Sequence, residues 1–136
     1  IKGDLFASPD GLWFDRGGRL WIQTDVSTSV LGDRNHANFG NNQMLVGDPA
    51  TGQVRRFLTG PRGCEVTGIT ATPDGKTLFV NIQHPGESPS ERANPDQPTA
   101  ISSWPGSQFP ALGTGRPRSA TIAIRHIGGG TIGEAG

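Results

Sequence analysis

The chain carries the same strand–turn–strand unit twice. Gly11-Leu12 recurs as Gly68-Ile69, and Leu20-Trp21-Ile22 recurs as Leu78-Phe79-Val80, at offsets of 57 and 58 residues. In the first copy Leu12–Asp15 and Arg19–Asp25 are joined by Arg16-Gly17-Gly18; in the second, Glu65–Thr72 and Thr77–Gln83 are joined by Pro73-Asp74-Gly75. Short aromatic and β-branched runs separated by such turns are hairpin signals. A further pair follows each hairpin. Gln43–Gly47 and Gln53–Leu58 flank Asp48-Pro49-Ala50-Thr51-Gly52, where proline presets one turn residue and glycine accepts a positive φ. The second copy offers a weaker pair, Ala100–Trp104 and Ser119–Ile127. Repeated units of about four strands are the mark of β-propeller blades, which need partners to close a ring. The expected fold is therefore all-β and propeller-like, with about two four-stranded antiparallel blades of a larger ring, over residues 8–60 and 61–127, and a tail at 128–136. The turns Arg16–Gly18 and Pro73–Gly75 should share one end. An eight-stranded sandwich is the competing architecture, and it would place both hairpins in one sheet.

The composition fits a turn-dense β protein. Glycine and proline number 21 and 11 in 136 residues, a share at which non-periodic chains approach disorder. Disorder also requires a large net charge, and here 12 cations balance 12 anions. That neutrality also removes the basic field on which nucleic-acid binding depends. A single cysteine excludes an internal disulfide framework and any all-cysteine zinc site. No membrane span is expected, because the longest uncharged stretch, Gln97 to Gly115, is broken by prolines and glycines. The start at Ile1, with neither initiator methionine nor signal pattern, suggests an excised piece. Two blades without neighbours should then expose an apolar flank.

Blade geometry collects residues that are distant in sequence. In a propeller, the loop into the innermost strand and the loop out of the second strand lie at the same end of the ring. Asp10 and Glu65 precede innermost strands, while Asp25 and Gln83-His84-Pro85-Gly86-Glu87 follow second strands, so all should face one rim. The polar loops at about 26–42 and 88–99 should flank them as a binding face.

Four strings resemble the C-terminal part of the PhoX-type alkaline phosphatases: Ser8-Pro9-Asp10-Gly11-Leu12-Trp13-Phe14-Asp15, Gly63-Cys64-Glu65-Val66-Thr67-Gly68, Phe79-Val80-Asn81-Ile82-Gln83-His84-Pro85-Gly86-Glu87 and Arg116-Pro117-Arg118-Ser119-Ala120-Thr121. The second and third strings are the specific ones; Pro-Asp-Gly alone occurs in many propellers. The resemblance implies a six-bladed ring, calcium and iron cofactors, hydrolysis of small-molecule phosphate monoesters, and a periplasmic or secreted location. It also implies a longer parent whose remaining blades are partners of this segment and hold the metal-ligating cysteine. The segment alone is then expected to be inactive.

Within that frame each candidate has a functional and a plain role. Glu65 is the leading metal ligand, since hard cations take oxygen donors, and otherwise an exposed loop acid. Arg62 is placed to grip a phosphate with two N–H groups, or is simply solvated. Asp25 and Glu87 are further candidate metal ligands, and so is Asp10, although Pro-Asp-Gly also describes a self-bonded turn. His84 is the catalytic candidate, because imidazole titrates near neutrality, or a structural hydrogen-bond partner. Asp74 reads as a turn residue, His36 as loop surface, His126 as a strand edge and Cys64 as packing. The alternative function is a non-catalytic or lactonase-like sugar-binding propeller module.

Overall fold

Along Thr77–Gln83, Leu78, Val80 and Ile82 are buried while Phe79, Asn81 and Gln83 are exposed. This period of two is that of a strand covered on one face. A computed structural model describes residues 1–87, 95–113 and 115–134. Its strands are β1 (Lys2–Gly3), β2 (Pro9–Phe14), β3 (Leu20–Thr24), β4 (Gln43–Asp48), β5 (Gln53–Thr59), β6 (Glu65–Ala71), β7 (Thr77–Gln83) and β8 (Ala120–Arg125). One sheet has the order β1-β5-β4-β3-β2 and the other β6-β7-β8. The two hairpins thus lie in different sheets, as blades require and a shared-sheet sandwich does not. The polar loop 88–99 lies largely outside the described residues.

The repeat is structural as well as textual. The β2–β3 ladder shifts register between Pro9 and Gly11, and the β6–β7 ladder shifts between Thr67 and Ile69. At both bulges a glycine sits close to a partner side chain, and Gly68 also takes φ +56°. A Cβ on Gly11 would lie 2.5 Å from Gln23 Oε1, and one on Gly68 would lie 2.6 Å from Asn81 Nδ2. Both hairpin turns sit at the same end, where Arg16 Nη1 donates to the Pro73 carbonyl at 2.8 Å.

Two expectations are corrected. The first sheet gains a parallel edge strand, because Lys2 and Gly3 pair beside Gln53 and Val54 of β5. Ala100–Trp104 is not a strand, so the second sheet has three strands among the described residues. Serine chemistry and proline explain this. Ser102 Oγ accepts the Trp104 N–H at 3.2 Å, the Ser103 carbonyl accepts the Ser107 N–H, and Pro105 has no N–H to give a ladder. Trp104, 3% exposed, anchors this turn in the core instead.

The core lies between the sheets and joins Trp21 and Met44 from the first to Val66, Leu78, Val80 and Ile82 from the second. Nor are the described residues of the 128–136 tail loose: the Ile132 N–H donates to the Gly75 carbonyl at 3.0 Å and its side chain is buried. Leu12 and Phe14 alternate with core-facing Trp13, and with Leu5 they stay more than half exposed. The outer face of β7 is more polar, with Phe79 beside Asn81 and Gln83.

Below Trp21, Asp15 Oδ2 takes the Arg19 Nε–H at 2.7 Å and the Trp21 Nε1–H at 2.9 Å. Burial pushes this carboxyl up, but the bonds from Trp21 and Arg19 outweigh it and hold its pKa below the ordinary value. Its ionised form therefore stabilises the fold above the unfolded pKa, and that contribution is lost as pH falls through the depressed folded value. Thermal melts from pH 5 to pH 2 should show Asp15→Asn with a shallower acid destabilisation than the parent sequence; identical slopes would remove Asp15 from the acid response.

Candidate functional site

Glu65 opens β6 directly across from Gln83, the last residue of β7, and the Gln83 Nε2–H donates to Glu65 Oε2 at 3.0 Å. The chain then turns at His84, which has φ +37° and whose N–H donates to Ser119 Oγ at 2.9 Å. This turn aims the imidazole between two carboxylates. Nε2 lies 3.6 Å from Glu65 Oε2, and Nδ1 lies 3.8 Å from Glu87 Oε2. Nδ1 is buried without a hydrogen-bond partner among the described residues.

The 60–65 loop meets the His84–Glu87 turn through its backbone. The Arg62 carbonyl accepts the Gly86 N–H at 2.9 Å and the Gly63 carbonyl accepts the Glu87 N–H at 3.2 Å. Gly63 permits this approach. Its φ is +70°, and a Cβ there would lie 2.8 Å from both Glu87 N and Glu87 O.

The first sheet closes the other side. Asp25 follows β3, with its N–H held by the Ser8 carbonyl at 3.0 Å, and the Thr28 hydroxyl reaches Glu87 Oε2 at 3.4 Å. Asp25, Thr28, His84 and Glu87 line a cleft of about 260 Å³ between the sheets. A larger groove of about 630 Å³ lies at the opposite strand ends, with Arg19, Arg55, Arg56 and Arg125 in its wall; nothing in the sequence pattern signals it.

Burial, the charge of Asp25 and the weaker charge of Asp10 push the Glu65 carboxyl above its ordinary range, while His84 pulls it down. Glu65 thus feels Asp25, His84 and Asp10 across the rim. Asp10 sits exposed at the β2 bulge and contributes by charge. Arg62 is exposed, and its guanidinium makes no ion pair or hydrogen bond among the described residues. It stands beside the cleft without lining it.

The remaining candidates take plain roles. Asp74 Oδ1 accepts the Thr72 hydroxyl at 2.6 Å and the Lys76 N–H at 3.0 Å, the self-bonded turn expected. His126 Nδ1 accepts the Gly128 N–H, and His36 packs edge-on to Phe39. Cys64 is fully buried, and burial pushes its thiol up to about 12 despite a bond from Asn41. The folded protein should therefore resist alkylation by iodoacetamide at pH 9 and react promptly in denaturant. Fast labelling in buffer would put Cys64 at the surface.

The donor set facing this rim is carboxylate oxygen with one imidazole, and the buried thiol is no part of it. That chemistry fits a hard cation. Among the described residues no group of three or more His, Cys, Asp or Glu is placed to hold a metal ion. No described helix is long and apolar enough to cross a membrane. Thr28, Ser119, Asn41 and Asn42 join this architecture without having been singled out in the sequence. Serine, threonine and asparagine in polar loops look the same whether solvated or buried.

The sequence model of the family described as "Alkaline phosphatase PhoX" matches residues 1–86. The solved structure of Pseudomonas fluorescens PhoX in complex with vanadate, a transition state analogue, is similar at 52% identity with a TM-score of 0.72. The match covers 92% of this chain and 19% of that one, so the chain spans about a fifth of that protein's length. No curated protein matches the sequence.

Proposed function

The chain belongs to the PhoX alkaline phosphatase family, and from that premise we propose that it is a two-blade segment of a longer, metal-dependent phosphomonoesterase. The observation that carries this reading is the His84 imidazole lying between Glu65 and Glu87 on a cleft shared with Asp25. Asp10, Asp25, Glu65 and Glu87 are the metal-holding carboxylates, calcium being the ion their oxygens suit best, with iron as the second cofactor. When bound, these ions supply charge neutralisation on the phosphoryl oxygens and acidification of water.

The chain's own residues do the rest. The exposed Arg62 guanidinium is free to turn over the rim and take two phosphate oxygens in a fork. In hydrolysis, water oxygen bonds to phosphorus, the ester P–O bond breaks, and the departing alkoxide needs a proton. His84 donates it and recovers one from the attacking water, with Glu65 and Glu87 on either side of the ring to orient it. The vanadate complex of the Pseudomonas fluorescens protein supports a phosphoryl-transfer site in this family. We place the full-length protein in the periplasm or outside the cell, as its family implies, with a small phosphate ester as substrate and the remaining blades as structural partners.

The test pairs metal analysis with hydrolysis of an aryl phosphate at alkaline pH by the full-length protein. Iron plus calcium with turnover is the expected result. One divalent ion with lactone hydrolysis would favour a lactonase-like site, and neither metal nor activity would leave a structural module. The 136-residue chain alone should be inactive.

A further inference from the structure

Asn41 and Asn42 are 3% and 2% exposed, and the oxygen and nitrogen of both side-chain amides are engaged. Asn41 Oδ1 accepts the Gly63 N–H at 2.9 Å, and its Nδ2 donates to the Cys64 carbonyl at 3.0 Å and to Cys64 Sγ at 3.3 Å. Asn42 faces both sheets. Its Oδ1 accepts the Thr24 hydroxyl at 3.0 Å and the Val26 N–H at 2.6 Å, while its Nδ2 donates to the Val26 carbonyl at 3.0 Å and the Cys64 carbonyl at 3.1 Å. The Asn42 carbonyl also accepts the Gly60 N–H at 2.8 Å.

These bonds grip the residues on either side of Asp25, namely Thr24 and Val26, and the residue before Glu65. Each asparagine must donate and accept at once, which neither aspartate nor leucine does. A truncated side chain would leave buried groups such as the Val26 N–H and the Cys64 carbonyl short of partners. The frame continues through Gly63 to Glu87 by the backbone bond already described.

We propose that Asn41 and Asn42 are positioning residues that fix the spacing of the Asp25 and Glu65 carboxylates across the two sheets and so set the calcium affinity of the rim. The proposal rests on the phosphatase reading, but its first readout is binding rather than turnover. Outer partners that orient metal ligands typically contribute ~10–100-fold in metal affinity.

In the full-length protein, calorimetric titration with calcium should show Asn42→Ala and Asn41→Ala weakened at least ~10-fold. The kcat of Asn42→Ala for an aryl phosphate should fall while KM stays near the parental value, because its side chain makes no bond to the residues beside Arg62; Asn41→Ala, which frees the Gly63 N–H next to Arg62, should change both. Leu45→Ala serves as a destabilised control. Leu45 packs with Ile22 and Val54 on the other face of the first sheet, so its calcium affinity and kcat should be parental below its melting temperature. If Asn42→Ala does not fold, Thr24→Val decides, since it removes the bond to Asn42 Oδ1 together with the bond from the Gln43 N–H beside it, and should show the same changes to a smaller degree. A folded Asn42→Ala or Thr24→Val whose calcium affinity and kcat match Leu45→Ala overturns the positioning role alone. A parental protein that neither binds calcium nor hydrolyses the ester overturns the phosphatase reading as well.

Discussion

In the full-length protein, Glu65→Gln is expected to lower kcat at least ~100-fold and to reduce bound calcium or iron, because metal-assisted charge stabilisation supplies several kcal/mol. The same substitution should make the metal-free protein more stable at neutral pH. Burial and the facing Asp25 and Asp10 hold the Glu65 carboxyl above its ordinary pKa, so its ionised form is disfavoured by folding. For a raised carboxylate the native state binds the extra proton between the unfolded and folded pKa values. Stability therefore falls as pH rises through that window and stays reduced above it. Glutamine removes the charge and can still accept from Gln83. The Tm gain of the metal-free variant should be present at pH 7 and vanish near pH 4, and added calcium should reverse the order by stabilising only the parental protein. Arg62→Ala separates the two kinds of residue: metal content should be unchanged, with a loss of ~2–4 kcal/mol in kcat/KM, the range for a lost contact to a developing oxyanion. Full metal content and parental turnover in Glu65→Gln would end its assignment as a ligand.

The shared rim was legible as a spacing pattern: Asp10 and Glu65 stand at the starts of β2 and β6, inside the strands rather than before them as expected, and Asp25 and His84 directly follow β3 and β7. The hairpins were legible because apolar runs joined by tight turns recur, each with a glycine, Gly11 or Gly68, at a matching bulge. Other features left no such trace. Ala100–Trp104 has strand-like composition, yet the Ser102 hydroxyl takes the Trp104 N–H and its tryptophan serves the core singly. The β1 pairing depends on two residues with no pattern of their own. Asn41 and Asn42 lie in a polar loop, and only three-dimensional closure turns them from solvated residues into a buried bridge. Long-range polar bonds are specified by where chains meet, so no local period reports them.

The packing that lets these loops meet depends on Trp21, where the largest stability effect is expected. Its side chain is fully buried on β3, meets the Phe57 ring edge-on at 5.0 Å, and donates to Asp15. Gly133 of the tail lies so close that a Cβ there would come within 2.9 Å of the indole, so first sheet and tail are fitted round one ring. Trp21→Ala should therefore lose apolar contact to both sheets, leave a cavity the rigid strands cannot refill, and cost ~3–5 kcal/mol. Trp21→Phe separates the contributions. It keeps most of the packing and removes only the N–H bond to Asp15, which Arg19 still neutralises, so about 1–2 kcal/mol is expected. The check is the midpoint of urea unfolding for both variants, read beside protease susceptibility of the 128–134 segment. That segment should become cleavable in Trp21→Ala before global unfolding, because Ile132 and Gly133 are seated against the core that the indole fills. A loss below ~1 kcal/mol in Trp21→Ala would mean that the two sheets are not joined through this ring. The coupling of Asp25 to Glu65 would then have to be carried by the asparagine bridge alone.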